Sequence, residues 1–125
     1  STYVMYCFSE VAGYSKFGTY TGNGSTAGDG PFVFCGFRPA FVIIKMSSHT
    51  GNWFMMDNKR DPFNFCSRRL FPNKNNAEGS SHNVISMLSN GFKIEDDYDG
   101  AWNYNGRTFI FLAFAESPFK NARAR

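Results

Sequence analysis

The sequence predicts an all-β protein, folded as an antiparallel β-sandwich with little or no helix. Aromatic residues make up 18% of the chain and most of them are Phe, whereas charged residues are few. Twelve Gly, together with many Asn and Ser, indicate frequent turns. No segment longer than a turn has apolar residues at i, i+3, i+4 and i+7, the spacing that an amphipathic helix needs. Short apolar or alternating segments separated by turns are instead typical of a β-sandwich.

The most apolar segment, Thr108–Ala115, predicts the central strand. Its length and its aromatic and branched side chains are typical of a strand buried on both faces, in the middle of a sheet. Asn105-Gly106 precedes it and is a hairpin-turn signal, because both residues tolerate positive φ. Ser117-Pro118 follows, and Pro cannot donate to a strand ladder, so the strand should end there.

A second copy of this strand occurs at the start of the chain. Thr2–Glu10 aligns with Thr108–Glu116 without a gap, and the first Thr, a central Phe and the closing Glu are identical. We therefore interpret residues 1–13 as a closing strand equivalent to the end of a preceding repeat unit, and residues 14–125 as a single β-sandwich domain. The chain then corresponds to part of a longer, repeated protein.

The remaining strands are predicted from alternation and from flanking turn residues, with Asn90-Gly91 as the clearest hairpin turn. Val84–Leu88 is either a short strand or one helical turn. Because about eight short strands are joined by turns, a jelly-roll or concanavalin-like sandwich is expected. The other predicted strands are Tyr14–Thr21, Phe32–Phe37, Ala40–Met46, Trp53–Asp57, Phe65–Phe71 and Phe92–Glu95.

Charge and hydropathy exclude several functions. The net charge of +3 comes from scattered or paired basic residues and a small cluster at the C-terminal end, so no stripe for nucleic acid is expected. No apolar run approaches the roughly 20 residues that span a bilayer, so membrane insertion is not expected. Ser1 opens directly onto a predicted strand, without the basic start of a signal peptide.

The three Cys do not indicate a disulfide framework, because their number is odd and their spacing is wide. Cys7 and Cys35 lie inside apolar runs, where Cys usually packs as a small core residue. Free Cys residues fit assembly in a reducing cytoplasm.

One loop could bind a cation. Glu95, Asp97 and Asp99, followed by Gly100, match the first half of a calcium loop, in which acidic residues alternate and Gly makes the bend. The second half does not match, because Gly106 stands where a bidentate Glu belongs. A weak calcium site and a solvated acidic turn therefore both remain open, and no other cofactor is expected.

No catalytic motif is present, and the sequence predicts that the protein is not an enzyme. His49 and His82 both lie in polar loops, without a Cys or His at metal-ligand spacing. No nucleophile motif accompanies either of them. Gly22–Gly30 is followed by a β-like run and not by a helix, so it predicts a turn and not a phosphate loop.

Aromatic residues at strand ends and in loops, with polar neighbours, are the candidate binding surface. An aromatic face suits the C–H face of a sugar ring, while adjacent amides and carboxylates take directional hydrogen bonds from its hydroxyls. Trp53 could instead belong to the core, whereas Trp102, between Gly100 and Asn103, is expected to be exposed. The candidate ligand-binding residues are Trp53, Asp57, Asn58, Arg60, Tyr98, Trp102, Asn103 and Tyr104.

Three blocks of the chain resemble a repeated domain of bacteriophage tail-fibre-like and other virion proteins, largely from marine phages. They cover most of the chain, and their order and spacing are more specific than any single motif. The loops Pro72–Asn83 and Asp96–Asn105 fall between the blocks. The blocks are Phe8–Val33, Gly36–Lys45 continued by Gly51–Arg60, and Leu88–Lys93 with Ala113–Arg125.

The resemblance implies a non-enzymatic virion component, a tail-fibre or appendage domain assembled in the host bacterial cytoplasm. It implies partners among other virion subunits, with a homo-oligomer and above all a trimer expected. The leading expectation is attachment to a host-surface glycan or protein, and the alternative is a structural spacer or a capsid or tail decoration without ligand. The loops expected to contact the host are Ser47–Asn52, Asn58–Asn64, Pro72–Asn83 and Asp96–Asn105.

Overall fold

The computed structural model describes residues 1–118, and within that range it has seven β-strands and no helix. The all-β prediction is therefore confirmed. Accordingly, the described part of the chain has no helix long and apolar enough to cross a membrane. The predicted basic cluster near the C-terminal end lies outside the described residues. The strands are β1 (Ser15–Thr21), β2 (Phe32–Phe34), β3 (Pro39–Met46), β4 (Trp53–Asp57), β5 (Ile85–Leu88), β6 (Gly91–Ile94) and β7 (Thr108–Ala115).

The strands form two antiparallel sheets. The large sheet has the order β1-β7-β3-β4 and the small sheet the order β2-β6-β5. β7 pairs with β1 on one side, from Thr21↔Thr108 to Ser15↔Phe114, and with β3 on the other. The predicted position of Thr108–Ala115 inside a sheet is therefore confirmed.

The inner faces of the two sheets share one apolar core. Along β7, Phe109, Phe111 and Ala113 point inward and are buried, as the two-residue repeat of a strand requires. Phe92 of the small sheet meets Phe111 edge to face, with ring centroids 5.4 Å apart. Tyr20 of β1 stacks on Phe109 at 5.1 Å. Two facing sheets with a common core are consistent with the predicted sandwich.

One predicted strand, Phe65–Phe71, forms only isolated bridges. Cys66 pairs with Ile85 at the edge of the small sheet, and Leu70 pairs with Met55 at the edge of the large sheet. The segment therefore crosses from one sheet to the other. A segment that crosses between sheets cannot pair along its whole length with one neighbouring strand. The regular strand predicted for Phe65–Phe71 was therefore wrong. The crossing segment also closes one side of the core, where Cys66 is buried.

The N-terminal segment, residues 1–10, has no regular secondary structure and is exposed throughout. The strand predicted over Thr2–Glu10 is therefore not formed in this chain. This segment cannot pair with β7, because β1 and β3 already pair with the two edges of β7. Cys7, predicted to be a core residue, is exposed, whereas Cys35 and Cys66 are buried. All three thiols are free. The assignment of this segment to a preceding repeat unit stays a prediction.

The two Asn-Gly turn signals have different outcomes. Leu88 pairs with Gly91, so β5 and β6 form the predicted hairpin around Ser89 and Asn90. A Cβ on Gly91 would lie 2.1 Å from the carbonyl oxygen of Val33, so only Gly allows β2 to approach this closely. Asn105-Gly106 makes a turn with φ +76° at Gly106. It leads from the small sheet to the large one, so the hairpin predicted there was wrong.

Candidate functional site

A cleft of about 370 Å³ opens at the end of the large sheet where β3 ends and β4 and β7 begin. We call it the Trp102 cleft. Three of the four loops predicted to contact a host line it: 47–52 through Asn52, 72–83 through Lys74, and 96–105 through Tyr98 to Trp102. The fourth loop, Asn58–Asn64, does not contribute. Loops that are far apart in the sequence thus meet at one concave surface.

Trp102 forms the floor of the cleft and is only 1% exposed. Its Nε1–H donates to the carbonyl oxygen of Asp96 at 2.7 Å, and its own carbonyl accepts from the Tyr20 hydroxyl at 2.6 Å. The indole meets Phe54 edge to face at 5.3 Å. The exposure predicted for Trp102 was wrong, because these bonds satisfy its polar groups and allow the ring to enter the core.

Asp97 holds the loop that contains Trp102. Its carboxylate accepts the backbone N–H of Asn103 at 3.2 Å. Burial raises the pKa of Asp97, while hydrogen bonds from the N–H groups of Asn103, Trp102 and Gly100 lower it. The bend itself passes through Asp99 and Gly100, with φ of +51° and +74°. A left-handed pair of this kind turns the chain sharply and suits Gly at its second position.

The calcium prediction receives no support from this geometry. Among residues 1–118 no group of three or more His, Cys, Asp or Glu side chains could hold a metal ion. Of the predicted ligands, Asp97 accepts hydrogen bonds from the loop itself, and Glu95 lies toward Gly28. The calcium site therefore stays a prediction.

Tyr98 and Tyr104, two further predicted residues, lie at or beside the cleft. Tyr98 is 53% exposed at its rim and stacks on His82, with ring centroids 4.1 Å apart. The guanidinium of Arg107 lies 3.7 Å above the ring of Tyr104. Arg107 also lines the cleft. The cleft thus combines a buried indole with one partly exposed aromatic ring at its rim.

The remaining predicted residues are placed elsewhere. Asn103 is fully buried behind the cleft, and Trp53 lies on the outer face of the large sheet. Arg60 bridges the carboxylates of Asp57 and Glu78. Asn58 donates to Glu116. The structure therefore brings together Tyr98 and Trp102 from the candidate set, with Tyr104 adjoining, and separates the others from them.

The cleft is also lined by four residues that no sequence pattern predicted as site residues: Arg69, Phe71, Lys74 and Arg107. Arg69 is 6% exposed, which is unusual for a cation. One signal was available, since Arg69 and Phe71 are two residues apart in a predicted strand and should share a face. No sequence pattern predicted that residues 65–71 cross between the sheets. This crossing directs the face shared by Arg69 and Phe71 toward Trp102.

A second, larger groove of about 740 Å³ lies on the outer face of the large sheet. The N-terminal segment forms one wall through residues such as Val4 and Met5, and the outward side chains of the strands, such as Ile43 and Leu112, form the base. Phe8 anchors the segment, with its ring 5.9 Å from that of Phe114. The lining is largely apolar, so this groove differs in chemistry from the charged Trp102 cleft.

Comparison with known proteins gives a family without an assigned activity. No curated protein and no solved structure matches the chain. A family model described as "Domain of unknown function (DUF7483)" matches residues 1–118, nearly the whole chain and all of its described part. The chain therefore belongs to the DUF7483 family.

Proposed function

We propose that this protein is a non-enzymatic domain of a phage tail fibre or related virion appendage, and that it binds a host-surface glycan in the Trp102 cleft. The virion context is supported by the resemblance of its sequence blocks to phage virion proteins. The binding role is supported by the convergence of three loops on one cleft, which is the single observation on which the proposal rests. Binding sites are commonly built from loops held by a rigid β-scaffold.

The chemistry of the cleft suits a sugar better than a reaction. Its volume falls within the usual range for small-ligand sites, about 300–1,000 Å³. Asn52, Thr50 and Lys74 offer hydrogen-bonding groups near the aromatic ring of Tyr98. Among the described lining residues, Asp99 supplies the single carboxylate. Glycoside hydrolysis needs two carboxyl groups facing each other, so this arrangement favours binding over cleavage.

A glycan array tests the proposal, with this protein as the probe. Tyr98→Ala removes the exposed ring at the rim without opening the core, so we expect binding to fall at least about tenfold, since stacking and burial of a ring contribute roughly 1–2 kcal/mol. Tyr3→Ala is the matched control, because Tyr3 is equally aromatic, 86% exposed and outside the cleft. Equal binding by both variants, or no bound glycan at all, would refute a glycan site in this cleft.

A structural role is the second candidate, and the apolar outer groove favours it. Tyr3, Val4, Met5 and Tyr6 are 77–86% exposed, and an apolar segment of this length is rarely left in water. In a spacer or decoration domain, a preceding repeat unit or other virion subunits would cover these side chains. The sequence match between Thr2–Glu10 and Thr108–Glu116 favours a preceding unit of the same kind.

The mass of the domain in solution tests whether the apolar segment is an interface between copies of the domain. Light scattering over a range of concentrations would give a stable trimer if the apolar surface is an interface between copies. A monomer at all concentrations would show that the apolar segment needs no second copy, and would favour an appended binding or decorating module. A trimer that also binds glycans through Tyr98 would place the domain in a fibre that attaches to the host.

A further inference from the structure

Arg69 is a buried cation on the wall of the Trp102 cleft. Its backbone is fixed by paired hydrogen bonds with Gly79, at 2.9 and 3.0 Å, so the side chain has little freedom to withdraw. A Cβ added to Gly79 would lie 3.1 Å from Cζ of Arg69, which shows that this backbone packs directly on the guanidinium. Of the whole residue, 6% remains exposed.

The hydrogen-bonding capacity of this guanidinium is largely unused. Nη1 donates to the carbonyl oxygen of Ser67 at 3.2 Å and Nη2 to the Ser81 hydroxyl at 3.4 Å, while Nε is buried without a partner among the described residues. Arg has five N–H donors, so the described part of the chain leaves most of them unsatisfied. Within residues 1–118, Arg69 forms no ion pair with a carboxylate.

The neighbours of Arg69 are neutral rings. Its Cζ lies 5.1 Å from the centroid of Trp102 and 5.8 Å from that of Phe71. Such faces attract a cation but accept no N–H bond in the plane of the guanidinium. Burial lowers the pKa of Arg69, which reflects the cost of removing this charge from water. A buried charge without a counter-charge is costly, and an anion in the cleft would offset that cost.

The cleft as a whole favours an anion. Within residues 1–118, its lining carries the cations Arg69, Lys74 and Arg107 against the single carboxylate of Asp99. We propose that the ligand is an acidic sugar, and that its carboxylate pairs with the guanidinium of Arg69 while the rest of the ring lies toward Tyr98. This inference rests on the proposed function and specifies its substrate class. The planar fork of Arg matches a carboxylate better than the point charge of Lys does.

Two matched pairs of sugars test the inference by calorimetric titration: sialyllactose against its methyl ester, and oligogalacturonate against its methyl ester. Each pair differs in a carboxylate. A charge-assisted hydrogen bond contributes about 1.5–3 kcal/mol, so we expect the acid of at least one pair to bind roughly ten- to a hundred-fold more tightly. Equal binding of acid and neutral partner would overturn the inference and leave glycan binding intact. Binding of none of the four would count against the proposed function itself.

Substitutions in the cleft test whether the sugar carboxylate binds at Arg69. Arg69→Lys keeps the charge and loses the fork, and should weaken acid binding about tenfold and neutral binding much less. Arg68→Met is the control, because Arg68 is the neighbouring cation, is largely exposed and lies outside the cleft. If Arg69→Lys does not fold, Lys74→Met at the exposed rim gives the second test, with acid binding expected to fall more than neutral binding. Acid binding insensitive to both cleft variants would overturn the assignment.

Competition with inorganic sulfate tests whether the cleft is specific for a sugar acid or binds any oxyanion. At constant ionic strength, sulfate should compete weakly with the acidic sugar, because it lacks the ring that the cleft accommodates. Sulfate that displaces the sugar at equal concentration would overturn the sugar-acid assignment in favour of a general oxyanion site. Screening by salt should also weaken acid binding more than neutral binding, since the charged contact depends on ionic strength.

Discussion

Asn103 and Asn23 are locked together by two hydrogen bonds. Nδ2 of Asn103 donates to Oδ1 of Asn23 at 3.0 Å, and Oδ1 of Asn103 accepts the backbone N–H of Asn23 at 3.0 Å. A third bond runs from Nδ2 of Asn103 to the carbonyl oxygen of Ser25. Since Asn103 is completely buried, this amide ties the loop after β1 to the loop that holds Trp102.

Asn103→Ala should therefore destabilise the fold, although the sequence predicts Asn103 as a ligand contact. The substitution removes the three hydrogen bonds of a buried amide, and a typical hydrogen bond contributes about 0.5–1.5 kcal/mol to stability. We expect the free energy of unfolding in urea to fall by roughly 2–3 kcal/mol. Asn105→Ala, which alters an exposed amide two residues later, should change it by less than about 0.5 kcal/mol. Equal effects of the two substitutions would contradict the structural role.

The three thiols should react in two classes. Cys7 is exposed in the N-terminal segment, whereas Cys35 and Cys66 are buried and burial raises the pKa of each to about 11. Because the thiolate is the reactive form, a disulfide exchange reagent at neutral pH should modify one thiol quickly in the folded protein and three after denaturation. Cys7→Ser should abolish the fast phase alone. Rapid reaction of two or more thiols in the native state would show that the core opens readily.

The buried thiols also predict a loss of stability at high pH. Burial raises the pKa of both thiols in the folded state to about 11, from an ordinary value of 9.0. Their contribution is complete below pH 9 and is lost as pH rises toward 11, because the unfolded chain releases these protons first. Each thiol adds a slope of up to about 1.4 kcal/mol per pH unit in that window. The double substitution Cys35→Ala and Cys66→Ala should flatten the measured dependence of the unfolding free energy on pH between 9 and 11. An unchanged slope would show that ionisation of these thiols does not control stability in that range.

The sequence predicted those parts of the fold that depend on local patterns. The predicted bounds of Trp53–Asp57 and Thr108–Ala115 agree with the observed strands, because their apolar runs and flanking turns are local properties. The crossing of 65–71 between sheets is set by pairing with two distant strands, so its sequence resembles an ordinary strand. At the site, the burial of Trp102 likewise depends on tertiary contacts that the local sequence does not predict. Flanking Gly and Asn suggest exposure, but the carbonyl of Asp96 satisfies its indole N–H inside the core.

The interpretation of the N-terminal segment as part of a preceding unit predicts that its first seven residues contribute little to this domain. Tyr3 to Tyr6 remain 77–86% exposed, so deleting residues 1–7 removes little buried surface. We expect the melting temperature to change by less than about 2 °C, a few tenths of a kcal/mol for a domain of this size. Phe8→Ala in the full chain is the comparison, because that ring packs on Phe17 and Phe114 and should contribute about 1 kcal/mol.

The two measurements together decide to which unit the segment belongs. A deletion less costly than Phe8→Ala places the anchor at Phe8 and leaves residues 1–7 available to another unit. A deletion that costs several kcal/mol would mean that Val4 and Met5 stabilise the outer face by packing against side chains such as Ile43 and Leu112. The apolar groove would then be part of this domain, and the repeat between Thr2–Glu10 and Thr108–Glu116 would no longer indicate a strand that completes a preceding unit.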